Sequence, residues 1–153
     1  MKTRLIGALV GLAISFALPI FAQEQTTVDP EVRQQLEAVI TQFVEALNKH
    51  DAAAAAALYT EDAIRMIDRG GTTVQVGREA IEKDFAENFG ASASMPPLVL
   101  KTVALYSLED RLVTISEWSV GNLGGGHSVM ICVRDADTWR VRMDFITTSH
   151  LVR

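Results

Sequence analysis

The most constraining feature of the sequence is the stretch from Thr41 to Asp68, which reads TQFVEALNKHDAAAAAALYTEDAIRMID. An amphipathic helix ends in it, an alanine-rich helix follows at once, and a first strand begins. Asp51 is placed to cap the second helix, and alanine is the strongest helix former and lets helices pack closely. This order predicts two packed helices that lead directly into a β-sheet, an arrangement that can enclose a cavity.

The first 22 residues have the pattern of a secretory signal peptide. Lys2 and Arg4 precede an almost wholly apolar run over residues 5–21, and Ala22 offers a small residue for cleavage. The alternative is an uncleaved membrane anchor, because the run approaches the roughly 20 residues that a spanning helix needs. Pro19 and Ala22 favour cleavage. We therefore expect a periplasmic or secreted protein that makes no membrane contact after cleavage.

The charge of the chain excludes two classes of partner. The formal net charge is −5, and it becomes −7 without residues 1–22, which contain Lys2 and Arg4 but no Asp or Glu. Nucleic acids and anionic lipid surfaces both recruit basic protein surfaces. We expect neither as a partner.

The rest of the chain has the length of one domain. About 130 residues follow the leader, without a repeat or an internal linker. We assign residues 23–29 to a flexible tether and residues 30–150 to the domain. The lone Cys132 cannot form an internal disulfide, and its apolar surroundings predict a buried structural thiol.

Three helices are predicted in the first part of the domain. The first begins at Asp29-Pro30-Glu31, which supplies a cap, a proline suited to the first turn and an acid at the positive helix end. Its apolar residues recur three and four apart up to Leu47, so one stripe faces a core. The second helix runs from Ala52 through Leu58 and Tyr59, and the third spans residues 78–89.

The rest of the domain is predicted to form strands. Two short ones cover residues 63–67 and 72–76. After Pro97 the pattern becomes extended, and the four longer candidates cover residues 98–108, 112–120, 127–134 and 139–148. Short turns join these four, which makes them sequential antiparallel neighbours. Helices first and a meander after define an α+β domain.

Four segments together resemble the nuclear transport factor 2-like superfamily, in its SnoaL-like and steroid delta-isomerase-like branches. They read FVEALNKHD, ALYTEDAIRM, GREAIEKDF and TWRVRMDF, and the resemblance extends over residues 30–148. It implies a cone-shaped, curved, mostly antiparallel sheet wrapped around three N-terminal helices, with a pocket open at one end. It also implies homodimers through the outer sheet face.

The steroid isomerases of this superfamily use an aspartate base and an oxyanion hole made by a tyrosine and a protonated aspartic acid. By resemblance, the tyrosine position falls on Phe43, which lacks the hydroxyl. The base position falls on or near Ile67, with Asp68 one residue later and therefore on the opposite face of the strand. The second acid position falls near Ile131 or Cys132. All three roles are empty, unless a bulge turns Asp68 inward.

Two other polar residues are candidate general acids or bases. If Ile67 faces inward, Arg65 does too, and the period of two predicts that Ile115 and Glu117 share one face. Glu117 is then an acid, a base or a ligand clamp, or simply the ion-pair partner of Arg65. His127 is either a proton shuttle at the mouth or a solvent-facing turn residue.

The predicted pocket combines these residues with neighbouring apolar and aromatic ones. Arg140, Arg142 and Asp144 alternate with the last apolar stripe and are expected to face outward. The sequence has no HExxH, no paired histidines and no CxxC, so we predict no metal and no cofactor. The predicted pocket residues are Phe43, Tyr59, Arg65, Ile67, Ile115, Glu117, His127, Ile131, Met143 and Phe145.

Three functions fit this pattern. The first is an exported module whose apolar cone pocket binds a small apolar or carbonyl-bearing molecule. The second is a SnoaL-like isomerase, lyase or cyclase that uses Glu117 or His127 as general acid or base. The third is a homodimeric interaction module with a filled pocket. We favour the first, and an unpaired Glu117 pointing into the cavity would favour the second.

Overall fold

A computed structural model describes residues 28–91 and 96–149. The predicted signal peptide, most of the predicted tether and His150 lie outside the described residues. Three helices and six strands follow in the order α1 (Pro30–Asn48), α2 (Ala52–Ala57), β1 (Tyr59–Asp68), β2 (Thr72–Val76), α3 (Arg78–Ala91), β3 (Leu98–Leu108), β4 (Arg111–Val120), β5 (Gly124–Asp135) and β6 (Thr138–Ser149). No helix within these ranges is both long and apolar enough to cross a bilayer.

Both predicted helix caps are present. The side chain of Asp29 accepts a hydrogen bond from the backbone N–H of Glu31 at 2.8 Å, and that of Asp51 accepts one from Ala54 at 2.9 Å. Helix α2 ends before Leu58 rather than including Tyr59, which begins β1 and is fully buried. The short α2 is closely packed, and Ala55 and Ala56 therefore have no exposed surface.

The six strands form one curved, open and mostly antiparallel sheet in the order β2-β1-β6-β5-β4-β3. Strands β3 to β6 are sequential antiparallel neighbours, which confirms that prediction. Strand β1 pairs with β6 in parallel, so the first strand after the helices lies beside the last strand of the chain. The predicted α+β class with a curved sheet and N-terminal helices is confirmed.

The three glycines before His127 belong to strand β5, not to the predicted turn. A Cβ atom on Gly126 would lie 1.9 Å from the carbonyl oxygen of Thr147 on β6, and one on Gly125 would lie 2.6 Å from that of Trp118 on β4. The glycines therefore allow β5 to approach both neighbouring strands closely.

A bulge in β6 decides which side chains of that strand reach the interior. Ile131 pairs with Met143 and Cys132 with Val141, so Arg142 is an extra residue without a partner in the ladder. An extra residue reverses the alternation of faces beyond it. Val141 before the bulge is buried, and after it Asp144 is buried while Met143 is 40% exposed.

Candidate functional site

A cavity with two adjoining chambers lies between the helices and the inner face of the sheet. The outer chamber has a volume of about 320 Å³, and the smaller inner chamber about 80 Å³. They are adjacent, because they share five lining residues: Leu47, Arg65, Arg69, Leu98 and Trp118. The inner chamber is also lined by Phe43, Ser128, Met130 and Asp144, so its floor carries polar groups.

Arg65 is the central charged residue of the cavity. Its side chain is only 7% exposed and forms an ion pair with Asp84 on α3, with 2.6 Å between Nη1 and Oδ2. Its guanidinium also lies 4.5 Å from the ring centroid of Phe85. The Nε of Arg65 is 3.8 Å from Oδ2 of Asp144 and has no hydrogen-bond partner among the described residues. Arg65 therefore retains an unsatisfied buried donor, a group that natural structures seldom leave unpaired.

Asp144 is fully buried and accepts two hydrogen bonds. The hydroxyl of Tyr59 donates to Oδ2 at 2.9 Å, and that of Ser128 donates to Oδ1 at 3.0 Å. Burial raises the pKa of Asp144, while Arg65 and the two hydroxyl donors lower it by a smaller amount. The cavity floor thus holds a carboxyl group whose neutral form is favoured more than in water.

Two neighbouring groups stay protonated at neutral pH. Burial, and next the negative charge of Asp144, raise the pKa of Tyr59 well above its usual value. The same two causes raise the pKa of Cys132 to about 12. The Cys132 thiol is buried, as predicted, and is too weakly acidic to act as a nucleophile.

Four of the ten predicted pocket residues are buried in the interior. Phe43 and Arg65 line the cavity. Tyr59 reaches it through its hydrogen bond to Asp144, and Ile67 is buried two positions after Arg65 without lining either chamber. Arg65 and Ile67 share the buried face of β1, and the ion-pair partner of Arg65 is Asp84, not Glu117.

The predicted inward orientation of Glu117 is wrong. On β4 the inward residues are Thr114, Ser116 and Trp118, whereas Glu117 is exposed. Glu117 pairs across the outer face with Lys101 on one side and His127 on the other, so neither Glu117 nor His127 reaches the cavity. The sequence misled because Val113 and Ile115 lie on the outer face of β4 while Thr114 and Ser116 lie on the inner one, so apolar character does not identify the inner face.

The other four predicted pocket residues also lie on the outer sheet face. They are Ile115, Ile131, Met143 and Phe145, and none lines either chamber. Ile115 lies on the same face of β4 as Glu117, and Ile131 lies on the same face of β5 as His127. The β6 bulge turns Met143 and Phe145 outward. The same bulge overturns the expected outward orientation of Asp144.

The residues that sequence reasoning missed are Asp84, Ser128, Asp144 and Arg69. A buried Arg65 requires an acid near it, which is a general signal for a partner but does not identify Asp84. The steroid-isomerase positions remain without the expected groups, since Phe43 has no hydroxyl and Asp68 is exposed at the end of β1. Among the described residues, no group of three His, Cys, Asp or Glu side chains is arranged to hold a metal ion.

Comparison with known proteins agrees with this architecture. Residues 40–148 match the model of the SnoaL-like domain. No curated protein matches the sequence significantly.

Solved structures with similar folds share little sequence with the chain. A cystatin-like protein of unknown function from Nostoc punctiforme superposes with a TM-score of 0.69 at 12% identity, over 81% of each chain. A ketosteroid isomerase-like protein from Erwinia carotovora atroseptica gives 0.65 at 14% identity, over 80% of this chain and 99% of that one. Aln2 from a Streptomyces species gives 0.67 at 18% identity, over 78% of this chain and 92% of that one. The chain belongs to the SnoaL-like domain family.

Proposed function

We propose that the cavity binds a small, largely apolar molecule whose hydrogen-bond acceptor is recognised by Arg65. The observation that carries this proposal is the guanidinium of a 7%-exposed arginine that lines both chambers and retains one unsatisfied donor, Nε. An unpaired buried donor costs about 1–3 kcal/mol, and a ligand carbonyl or carboxylate oxygen would recover part of that cost.

The walls of the outer chamber support an apolar ligand body. They include Phe85, Phe89, Leu98, Trp118 and Leu123. Mostly apolar walls with a few placed polar groups are typical of small-molecule sites. The third predicted function, a module with a filled pocket, is disfavoured by the open volume of about 320 Å³.

The test uses prodan, a neutral naphthalene ketone whose fluorescence shifts to the blue in apolar surroundings. Leu98→Trp places a large ring at a residue that lines both chambers, and it should weaken prodan binding about tenfold or more. Val99→Trp is the matched control, because Val99 follows in the same strand and is 58% exposed on the other face. Equal binding by both variants would place the dye outside the cavity and reject the proposal.

We propose acid–base chemistry at Asp144 as a second candidate function, because this buried carboxyl group lines the inner chamber. Asp144 lines the inner chamber, and burial raises its pKa toward the range in which a carboxyl group exchanges protons efficiently. The hydroxyls of Tyr59 and Ser128 hold the carboxyl group in place. The expected chemistry is proton abstraction beside a carbonyl group that Arg65 polarises.

Asp144→Asn tests this chemistry separately from binding. We expect the unaltered protein to catalyse deuterium exchange at the α-carbon of a bound ketone such as 4-phenyl-2-butanone, as followed by NMR. The rate should rise with pH up to the raised pKa of Asp144, because only the carboxylate is a base. The variant should lose about 100-fold or more of the exchange rate and still bind prodan. Unchanged exchange in the variant would rule out Asp144 as the base.

A further inference from the structure

We propose that the acceptor group of the ligand is an anion, a carboxylate held between Arg65 and Arg69. This inference rests on the proposed function, because it specifies the chemical class of the molecule that the cavity binds. It excludes neutral ketones and esters as the preferred ligands.

The outer chamber contains cationic side chains in a chain that is acidic as a whole. Arg65 and Arg69 line both chambers. Among the described residues that line the outer chamber there is no Asp or Glu, although the formal net charge of the chain is −5. The chamber is therefore positively charged, whereas the protein as a whole is negatively charged.

The two arginines differ in how far their charge is already compensated. The ion pair with Asp84 compensates Arg65. Arg69 is exposed, and its guanidinium forms no ion pair or side-chain hydrogen bond within residues 28–91 and 96–149. A positive charge therefore remains in the cavity after the Arg65 ion pair has formed, and it is the charge that an anionic ligand would neutralise.

Asp144 is the one acid that lines the cavity within the described part of the chain, and its position limits the repulsion of an anion. It lies in the inner chamber, fully buried, with both carboxyl oxygens accepting hydrogen bonds from Tyr59 and Ser128. Burial favours the protonated form of this group, which carries no charge. Uptake of a proton by Asp144 would leave the two arginines facing a single charged acid, Asp84.

The apolar walls distinguish an amphiphilic carboxylate from a small inorganic anion. Phosphate or sulfate would reach the arginines but leave Leu47, Phe89 and Trp118 uncovered. An alkyl or aryl carboxylic acid places its charge at the arginines and its hydrocarbon body against these walls. Each methylene group buried there adds roughly a fourfold gain in affinity.

The test compares decanoate with decanamide by isothermal titration calorimetry, since the two have the same chain and differ in charge. We expect decanoate to bind about tenfold more tightly. Arg69→Gln should weaken decanoate binding about tenfold and change decanamide binding less than about twofold. Arg111→Gln is the matched control, because it removes the same charge from an exposed residue outside the cavity.

Each outcome separates this inference from the proposed function. Equal affinity for decanoate and decanamide, with prodan still bound in the cavity, would overturn the anion preference and leave the cavity as a binding site. An equal loss of decanoate affinity in the Arg69 and Arg111 variants would overturn the assignment to Arg69 and reduce the preference to a general effect of net charge. Binding of neither decanoate nor decanamide nor prodan would overturn the proposed function together with the inference.

Discussion

Replacing Arg65 by methionine is expected to lower the free energy of unfolding by about 3–5 kcal/mol, the cost of breaking a buried ion pair by removing one partner. Methionine has a similar length and retains contact with Phe85, but it leaves Asp84 without its partner and Asp144 without a nearby positive charge. Chemical denaturation at several pH values measures the effect.

The loss in the Arg65 variant should depend on pH. The folded-state pKa of Asp144 is already raised, and without Arg65 it rises further. A native state that binds more protons than the unfolded state loses stability as pH rises from the unfolded to the folded pKa. The variant should therefore be closest to the unaltered protein near pH 4 and furthest from it above neutrality.

A control variant separates the buried charge from charge in general. Arg111→Met removes an arginine whose side chain is 58% exposed and should change the free energy of unfolding by less than about 0.5 kcal/mol. Combining Arg65→Met with Asp144→Asn should recover part of the loss, because the second change removes a stranded buried acid. A loss that is small and independent of pH would contradict this account of the cavity floor.

Gly126→Ala is expected to destabilise the protein by about 3 kcal/mol or prevent folding, because the new methyl group would meet backbone atoms that cannot move alone. Its Cβ would lie 1.9 Å from the carbonyl oxygen of Thr147 and 3.0 Å from the Cα of Thr148. Relief of this overlap requires β5 and β6 to separate where Thr148 lines the outer chamber. Thermal and chemical denaturation measure the loss, and prodan binding should weaken with it.

The matched control for this glycine is Gly71→Ala. A Cβ on Gly71 would meet nothing within 4 Å, and its backbone lies outside the left-handed region that disfavours side chains. This variant should be as stable as the unaltered protein within about 0.5 kcal/mol. Similar stability of the two alanine variants would show that β5 and β6 tolerate separation.

The sequence predicted those parts of the fold that depend on local interactions. Helix α1 starts where Asp29 and Pro30 place it, and Asp51 caps α2, because a cap needs only residues three or fewer positions away. The meander of β3 to β6 follows from short turns and extended patterns. Arg65 and Ile67 lie on one face of β1, as the period of two implies, since β1 keeps its alternation from Ala63 onward. The signal peptide, the export and the homodimer stay predictions.

The tertiary structure decided which polar groups meet in the cavity. Asp84 reaches Arg65 because α3 packs against β1, a contact that no local pattern encodes. Asp144 points inward because the single extra residue Arg142 reverses the faces of β6. Glu117 points outward because β4 pairs with its neighbours in a register that places Thr114, Ser116 and Trp118 on the inner face. Alternation along a strand fixes faces only relative to one another, so the choice between inside and outside depends on register and bulges that form when the strands pair.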